Sequence, residues 1–168
     1  MEGKRGDFDQ WRRVWSGNHL IEFEPINHDD ERLTCLFQDP YIQRVGYDDR
    51  PAQAIDHPAV HYFAVLVDGR FVGAYALVES GFHDWDVHSY LTKECLPISR
   101  VIGRDFIRYA FDCLPIARLT ALILGNLQSA VNYCLKVGFS YEGFKRDALM
   151  KDGRLIGLHI LGITRKES

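Results

Sequence analysis

Residues 118–146 read RLTALILGNLQSAVNYCLKVGFSYEGFKR, and this stretch decides the fold. Leu119 to Leu124 is an apolar, partly β-branched run of strand length, ended by Gly125 and Asn126. A helical period begins at once. Ala130, Cys134 and Val137 share a face that Val131 and Leu135 widen, and Gly138 supplies a C-cap before Phe139 opens another extended segment. A strand, an Asn at the helix start, a helix and a Gly-Phe exit into a strand form one α/β unit.

Upstream, His61 to Val67 (HYFAVLV) runs into Asp68-Gly69, a strong hairpin turn, and Phe71 to Val78 returns as its partner. Gly73 inside the returning strand fits a bulge, a ligand's close approach or tight packing. Trp85 to Leu91 reads as the fourth and central strand. Trp85, Val87, Ser89 and Leu91 face one way; Asp86, His88 and Tyr90 face the other. Three polar-capable side chains on one face of a buried strand call for a cleft or for partners. A histidine satisfied in the core is the competing reading of His88. The neighbouring His83, Asp84, Asp86 and His88 mix loop and strand without a convincing ligand spacing, so no metal is expected. Pro97 and Ser99 are placed to start a helix from about Arg100 to Cys113, with Val101, Phe106, Tyr109 and Ala110 free to pack.

Residues 1–18 form a polar lead-in whose Trp11 and Trp15 suit a short amphipathic helix, and residues 19–168 read as a single domain. HLIEFEP (19–25) alternates as a first strand, and a helix opens near Asn27 or His28, with Leu33, Leu36 and Phe37 on one face and Asp39-Pro40 at its end. Tyr41 to Pro58 gives mixed signals. The last hairpin pairs Phe139 to Arg146 with Leu155 to Ile163 around Lys151-Asp152-Gly153, and His159 is expected to pack in the core.

With 168 residues and 46% apolar content, one sizeable core is affordable. A net charge of −3 offers no basic footprint for nucleic acid or an acidic membrane. Cys35, Cys95, Cys113 and Cys134 contain no Cys-x-x-Cys pair and read as reduced core residues of a cytoplasmic protein. Neither a signal peptide nor a spanning segment is visible.

The series Asn126, Ser129 or Ala130, Lys136-x-Gly138-Phe139-x-x-Glu142-Gly143, with Arg146 beyond, resembles the C-terminal half of the acyl-CoA N-acyltransferase (Gcn5-related) family. Within it, the series is nearest to the subgroup that acetylates ribosomal protein N-termini. Element order extends the resemblance over residues 19–164. It implies a mixed α/β domain, a twisted central sheet of six to seven strands with helices on both faces.

The resemblance also implies acetyl-CoA as donor and a primary amine, on a protein or a small molecule, as acceptor. Arg100-Val-Ile-Gly103-Arg104-Asp105 would open the helix that holds the pyrophosphate by its backbone N–H groups, although Asp105 replaces a small residue there. Backbone at Tyr90 or Leu91 would hold the oxyanion, and Asn126, Ser129 and Lys136 would complete the donor site. His88 becomes the candidate general base, with Asp86 orienting it. Tyr133 is the candidate acid for the departing thiolate, one residue off the family position, which Cys134 occupies. Tyr41, Arg44, Tyr47 and Asp49 become candidate acceptor contacts. A second copy of the chain is the other expected partner. The alternative left open is a non-catalytic binding or assembly module of the same fold.

Overall fold

Turn chemistry closes the hairpins, and apolar alternation decides which strand faces are buried. The computed structural model describes residues 12–44 and 48–167. Its strands are β1 (Arg12–Ser16), β2 (His19–Ile26), β3 (Val60–Val67), β4 (Arg70–Glu79), β5 (Asp84–Leu91), β6 (Arg118–Leu124), β7 (Ser140–Lys151) and β8 (Arg154–Thr164). They form one sheet in the order β1-β2-β3-β4-β5-β6-β8-β7, antiparallel throughout except between β5 and β6. Asp68-Gly69 and Asp152-Gly153 close two of the hairpins with both residues at positive φ, the geometry that two-residue turns require.

Helices cover both faces, as expected. α1 (Glu31–Gln38) and α2 (Pro40–Arg44) lie on one, α3 (Ser99–Cys113) and α4 (Gln128–Val137) on the other. α1 begins at Glu31 rather than at Asn27 or His28 because the Asp30 carboxylate accepts from Arg32 N–H at 2.9 Å and so caps the first turn. Under α3, Phe106 gathers the sheet's aromatic rings. Its centroid is 3.9 Å from Tyr75, 5.3 Å from Phe23 and 5.7 Å from Phe63. Burying each such side chain contributes about 1.5–3 kcal/mol. The smaller core joins Leu33, Leu36, Phe37 and Ile42 to Tyr62, Ala74 and Ala76.

Several expectations change. The sheet has eight strands because Arg12–Ser16 pairs with β2 as a strand, where the two tryptophans suggested a helix; Trp11 itself, like Tyr47 and Ser168, lies outside the described residues. Trp85–Leu91 is therefore the fifth strand. A 3₁₀ segment, Lys93–Ile98, precedes α3 and contains Pro97, while Ser99 sits in the helix and donates its hydroxyl back to Leu96 O at 2.7 Å, so it does not cap. Val101 and Leu135 are exposed, as is Cys35, so none of the three belongs to the core. His159 packs its ring against the exposed Phe144 and accepts or donates a bond with Tyr141 Oη at 3.1 Å. Among the described residues no helix is long and apolar enough to cross a membrane.

Glu142, part of the signature quoted above, is an ion-pair partner. Arg118 on β6 reaches across β8 to it, with Nη1 2.8 Å from Oε1 and a second contact from Nη2 to Oε2. The bridge passes over Gly162, where a β-carbon would collide with both side chains.

Candidate functional site

Two neighbouring strands part company at the centre of the sheet. β5 and β6 pair only at Asp84 to Asp86 and Arg118 to Thr120, and beyond that register they diverge. A cavity of about 440 Å³ fills the resulting gap and continues through the sheet. On the α3/α4 side it is lined by Ser99, Gly103, Tyr133 and Cys134, among others; on the α1/α2 side by Tyr41, Ile42, His88 and Tyr90. The parity of β6 puts Ala121 and Ile123 on the first side and Leu122 and Leu124 on the second.

The β5 backbone has a free edge along this gap. Thr92 N–H donates toward β4, to Val72 O at 2.9 Å, so by alternation the N–H groups of Ser89 and Leu91 point the other way, into the opening. Gly73 holds the opposite side close. With φ at 149° beside the bulge in β4, it brings that strand against Tyr90 O so tightly that a β-carbon would not fit. The glycine therefore serves strand approach.

Of the sequence-predicted residues, His88, Tyr90, Leu91, Gly103, Ser129 and Tyr133 line the cavity. Asp86, Arg100, Arg104, Asn126 and Lys136 do not. Asp86 shares the His88 face but accepts from Ser80 Oγ at 3.1 Å, and burial raises its pKa. Burial lowers the pKa of His88 below its ordinary 6.5, against an upward pull from Asp86, and so favours the neutral imidazole. Arg104 donates to Lys136 O at 2.9 Å, tying α3 to the end of α4; Arg100, Asn126 and Lys136 are exposed around the helix ends. α4 starts after Leu127, so Asn126 lies in the turn before it and not at its cap.

Tyr133 reaches the cavity despite its one-residue displacement. Its hydroxyl donates to Ser99 O at 2.9 Å, stands 3.5 Å from Tyr75 Oη, and rests on Gly103. Burial pushes it up to about 12, and does the same to the Cys134 thiol on the adjoining wall. A thiol so raised has little thiolate at neutral pH, so Cys134 is poorly suited to act as a nucleophile. Asp105 points elsewhere: it is buried, with one oxygen 3.6 Å from Arg108 Nη1, and is not part of the cavity wall.

Tyr75 was missed by sequence reasoning. It alternates as a core residue in β4, and only a hydroxyl on an otherwise apolar face marked it. Of the candidate acceptor contacts, Tyr41 lines the cavity with the Arg44 guanidinium 5.7 Å over its ring, whereas Asp49 binds Asp152 N–H at 2.6 Å. Among the described residues no group of three or more His, Cys, Asp or Glu side chains is placed to hold a metal.

Neither a family model nor a curated protein matches the chain. Solved structures do. The spermidine N-acetyltransferase of Vibrio cholerae in complex with CoA and spermine aligns at 16% identity over 88% of this chain and 96% of its own, with a TM-score of 0.74. A protein of Acinetobacter baylyi designated an acetyltransferase aligns at 16% identity over 89% and 96%, with a TM-score of 0.69. Another structure with an acetyltransferase designation reaches 21% identity over 94% and 99%, with a TM-score of 0.71. At these identities the likeness is one of architecture, and the chain has the acyl-CoA N-acyltransferase fold.

Proposed function

We propose that the protein transfers an acetyl group from acetyl-CoA to a primary amine, and that within the fold it stands nearest the ribosomal-protein N-terminal acetyltransferases through its Lys136 to Gly143 block. The observation that carries the reading is the cavity running through the sheet between β5 and β6. A donor approaching from the α3/α4 side and an acceptor from the α1/α2 side meet beside His88, so two substrates are held for direct attack.

The site's residues fit an acyl-CoA. Gly103 admits the Tyr133 hydroxyl against the α3 wall, Asp105 is not part of the cavity wall, and Arg100 and Arg104 stand exposed in the first turns of α3, where a pyrophosphate is favoured. The thioester supplies an activated acetyl carbonyl. The N–H groups of Leu91 and Ser89 face the gap and are suited to stabilise its oxygen as charge develops. His88, neutral at pH 7, accepts the proton that the amine nitrogen loses as its bond to the acetyl carbon forms and the carbon–sulfur bond breaks. Tyr133 would turn its single hydroxyl proton from Ser99 O toward the departing sulfur.

Calorimetric titration with acetyl-CoA, with CoA for comparison, tests the reading. One-site saturable binding, followed by thiol release in the presence of amines, is the expected result. Folded protein that binds neither at about 1 mM would sink the transferase and favour the non-catalytic module.

A further inference from the structure

The acceptor half of the cavity is built without charge. On the α1/α2 side of the gap it is formed by Tyr41 and Ile42 of α2, His88 and Tyr90 of β5, and Leu122 and Leu124 of β6. Among the described residues that line the whole cavity, none is Asp, Glu, Lys or Arg. Carboxylates do occur on the surrounding segments, outside the cavity wall, and four of them accept hydrogen bonds from the protein. Asp39 accepts from Tyr41 N–H at 2.7 Å, Asp48 from Arg50 N–H at 2.8 Å, Asp49 from Asp152 N–H at 2.6 Å and Asp86 from Ser80 Oγ at 3.1 Å. Arg44 lies over the Tyr41 ring and takes up an aromatic face that would otherwise attract an ammonium.

Resting on the transferase reading, we propose that the acceptor is a monoamine with an apolar body, and that this site rejects polyamines. The reactive nitrogen enters neutral, its ammonium proton left in solution, and gives up its next proton to His88 as the new bond forms. The rest of the molecule must then lie against Ile42, Leu122, Leu124 and the two phenol rings, where apolar area is rewarded. A polyamine would have to bring a second ammonium into the same space with no carboxylate among the described lining residues to meet it, and burying an unpaired charge is strongly unfavourable. Tyr90 reinforces the shape: Phe37 packs edge-on to its ring at 4.9 Å, and burial pushes its hydroxyl up to about 12, so the phenol stays neutral and contributes no anion.

The test compares 2-phenylethylamine with spermidine in two measurements. Thiol release with acetyl-CoA gives kcat/KM, and saturation-transfer NMR on the CoA-loaded and the free protein ranks amine binding without any turnover. The expected result is a preference for 2-phenylethylamine of about tenfold or more in both, reversed or abolished in Ile42→Asp or Leu122→Asp, each checked for folding by circular dichroism. Spermidine bound or acetylated as well as 2-phenylethylamine would overturn the inference while leaving acetyl transfer intact. Binding of neither amine would overturn it too. Failure of acetyl-CoA to bind is a different result, which sinks the transferase reading and leaves the amine ranking to judge the pocket.

Discussion

The Tyr133 hydroxyl rests on the backbone of Gly103, in the space that a β-carbon at that position would fill. The contact joins α4 to the start of α3 and places the hydroxyl 2.9 Å from Ser99 O. Gly103→Ala should therefore cost about 1–3 kcal/mol of stability by overpacking and weaken acetyl-CoA binding. The double variant Gly103→Ala/Tyr133→Phe should recover part of the loss, because the colliding oxygen is gone. Urea denaturation of the four proteins gives the coupling energy, expected at about 0.5 kcal/mol or more. Additive effects would mean that the two residues do not meet.

The Arg118–Glu142 bridge over Gly162 predicts a pH signature. Arg118 holds the Glu142 carboxyl below its ordinary value near 4.5. A depressed carboxylate stabilises the fold fully above the unfolded value, and that contribution is lost as pH falls through the folded one. Glu142→Gln should thus remove part of the acid dependence below about pH 5, while costing less than about 1 kcal/mol at pH 7, since the pair is partly solvated. Gly162→Ala should cost more than Glu142→Gln, because it displaces both partners. Equal thermal midpoints for the two variants would refute the bridge's dependence on the glycine.

Most of the architecture was legible because local signals agreed. Asp68-Gly69 fixed one hairpin, Gly138 ended α4 at φ 116°, and the parity of β5 divided Trp85 and Leu91 from His88 and Tyr90 as it does in the molecule. β1 was not legible, since its strand state comes from pairing with β2 and not from its own polar sequence. The gap itself left no local mark: Ala121 to Leu124 reads as an ordinary buried strand, and nothing in it says that pairing with β5 stops at Thr120. The direction of Asp105 was not legible either. The motif spacing placed a carboxylate near phosphate, but two residues along a helix turn a side chain by about 200° from Gly103, toward Arg108.

Burial of His88 has a direct kinetic consequence. Its pKa lies below 6.5, so the imidazole is already in its base form at pH 7 and loses that form only in more acidic solution. The acidic limb of kcat/KM should accordingly fall below pH 6.5. An amine's own deprotonation adds an upward slope in every variant, so the informative quantity is the ratio of wild type to His88→Gln across pH. That ratio should be about 10²-fold at pH 7 to 8 and shrink toward acid. A pH-independent ratio would assign His88 a structural role.

The segment after α2 is fastened to the distant β7–β8 turn. Asp49 accepts from Asp152 N–H at 2.6 Å, and Lys151 Nζ donates to Asp48 O at 3.1 Å. Closer in, Gln43 grips Ala52 from both sides, donating to its carbonyl at 2.8 Å and accepting from its N–H at 3.0 Å. Gln43 follows Ile42, which lines the cavity, so these bonds join the loop to that wall. Asp49→Ala removes one exposed bond and should cost about 0.5–1.5 kcal/mol or less. Gln43→Ala leaves two backbone groups of a half-buried loop without that partner and should cost more. Both should raise the KM for the amine by a few-fold, at roughly 1 kcal/mol, with little change in the dissociation constant of acetyl-CoA, which under the proposed function approaches from the other side of the sheet. Steady-state kinetics on both substrates checks the split, and an equal loss for donor and acceptor would show that the loop supports the whole fold and not the acceptor wall.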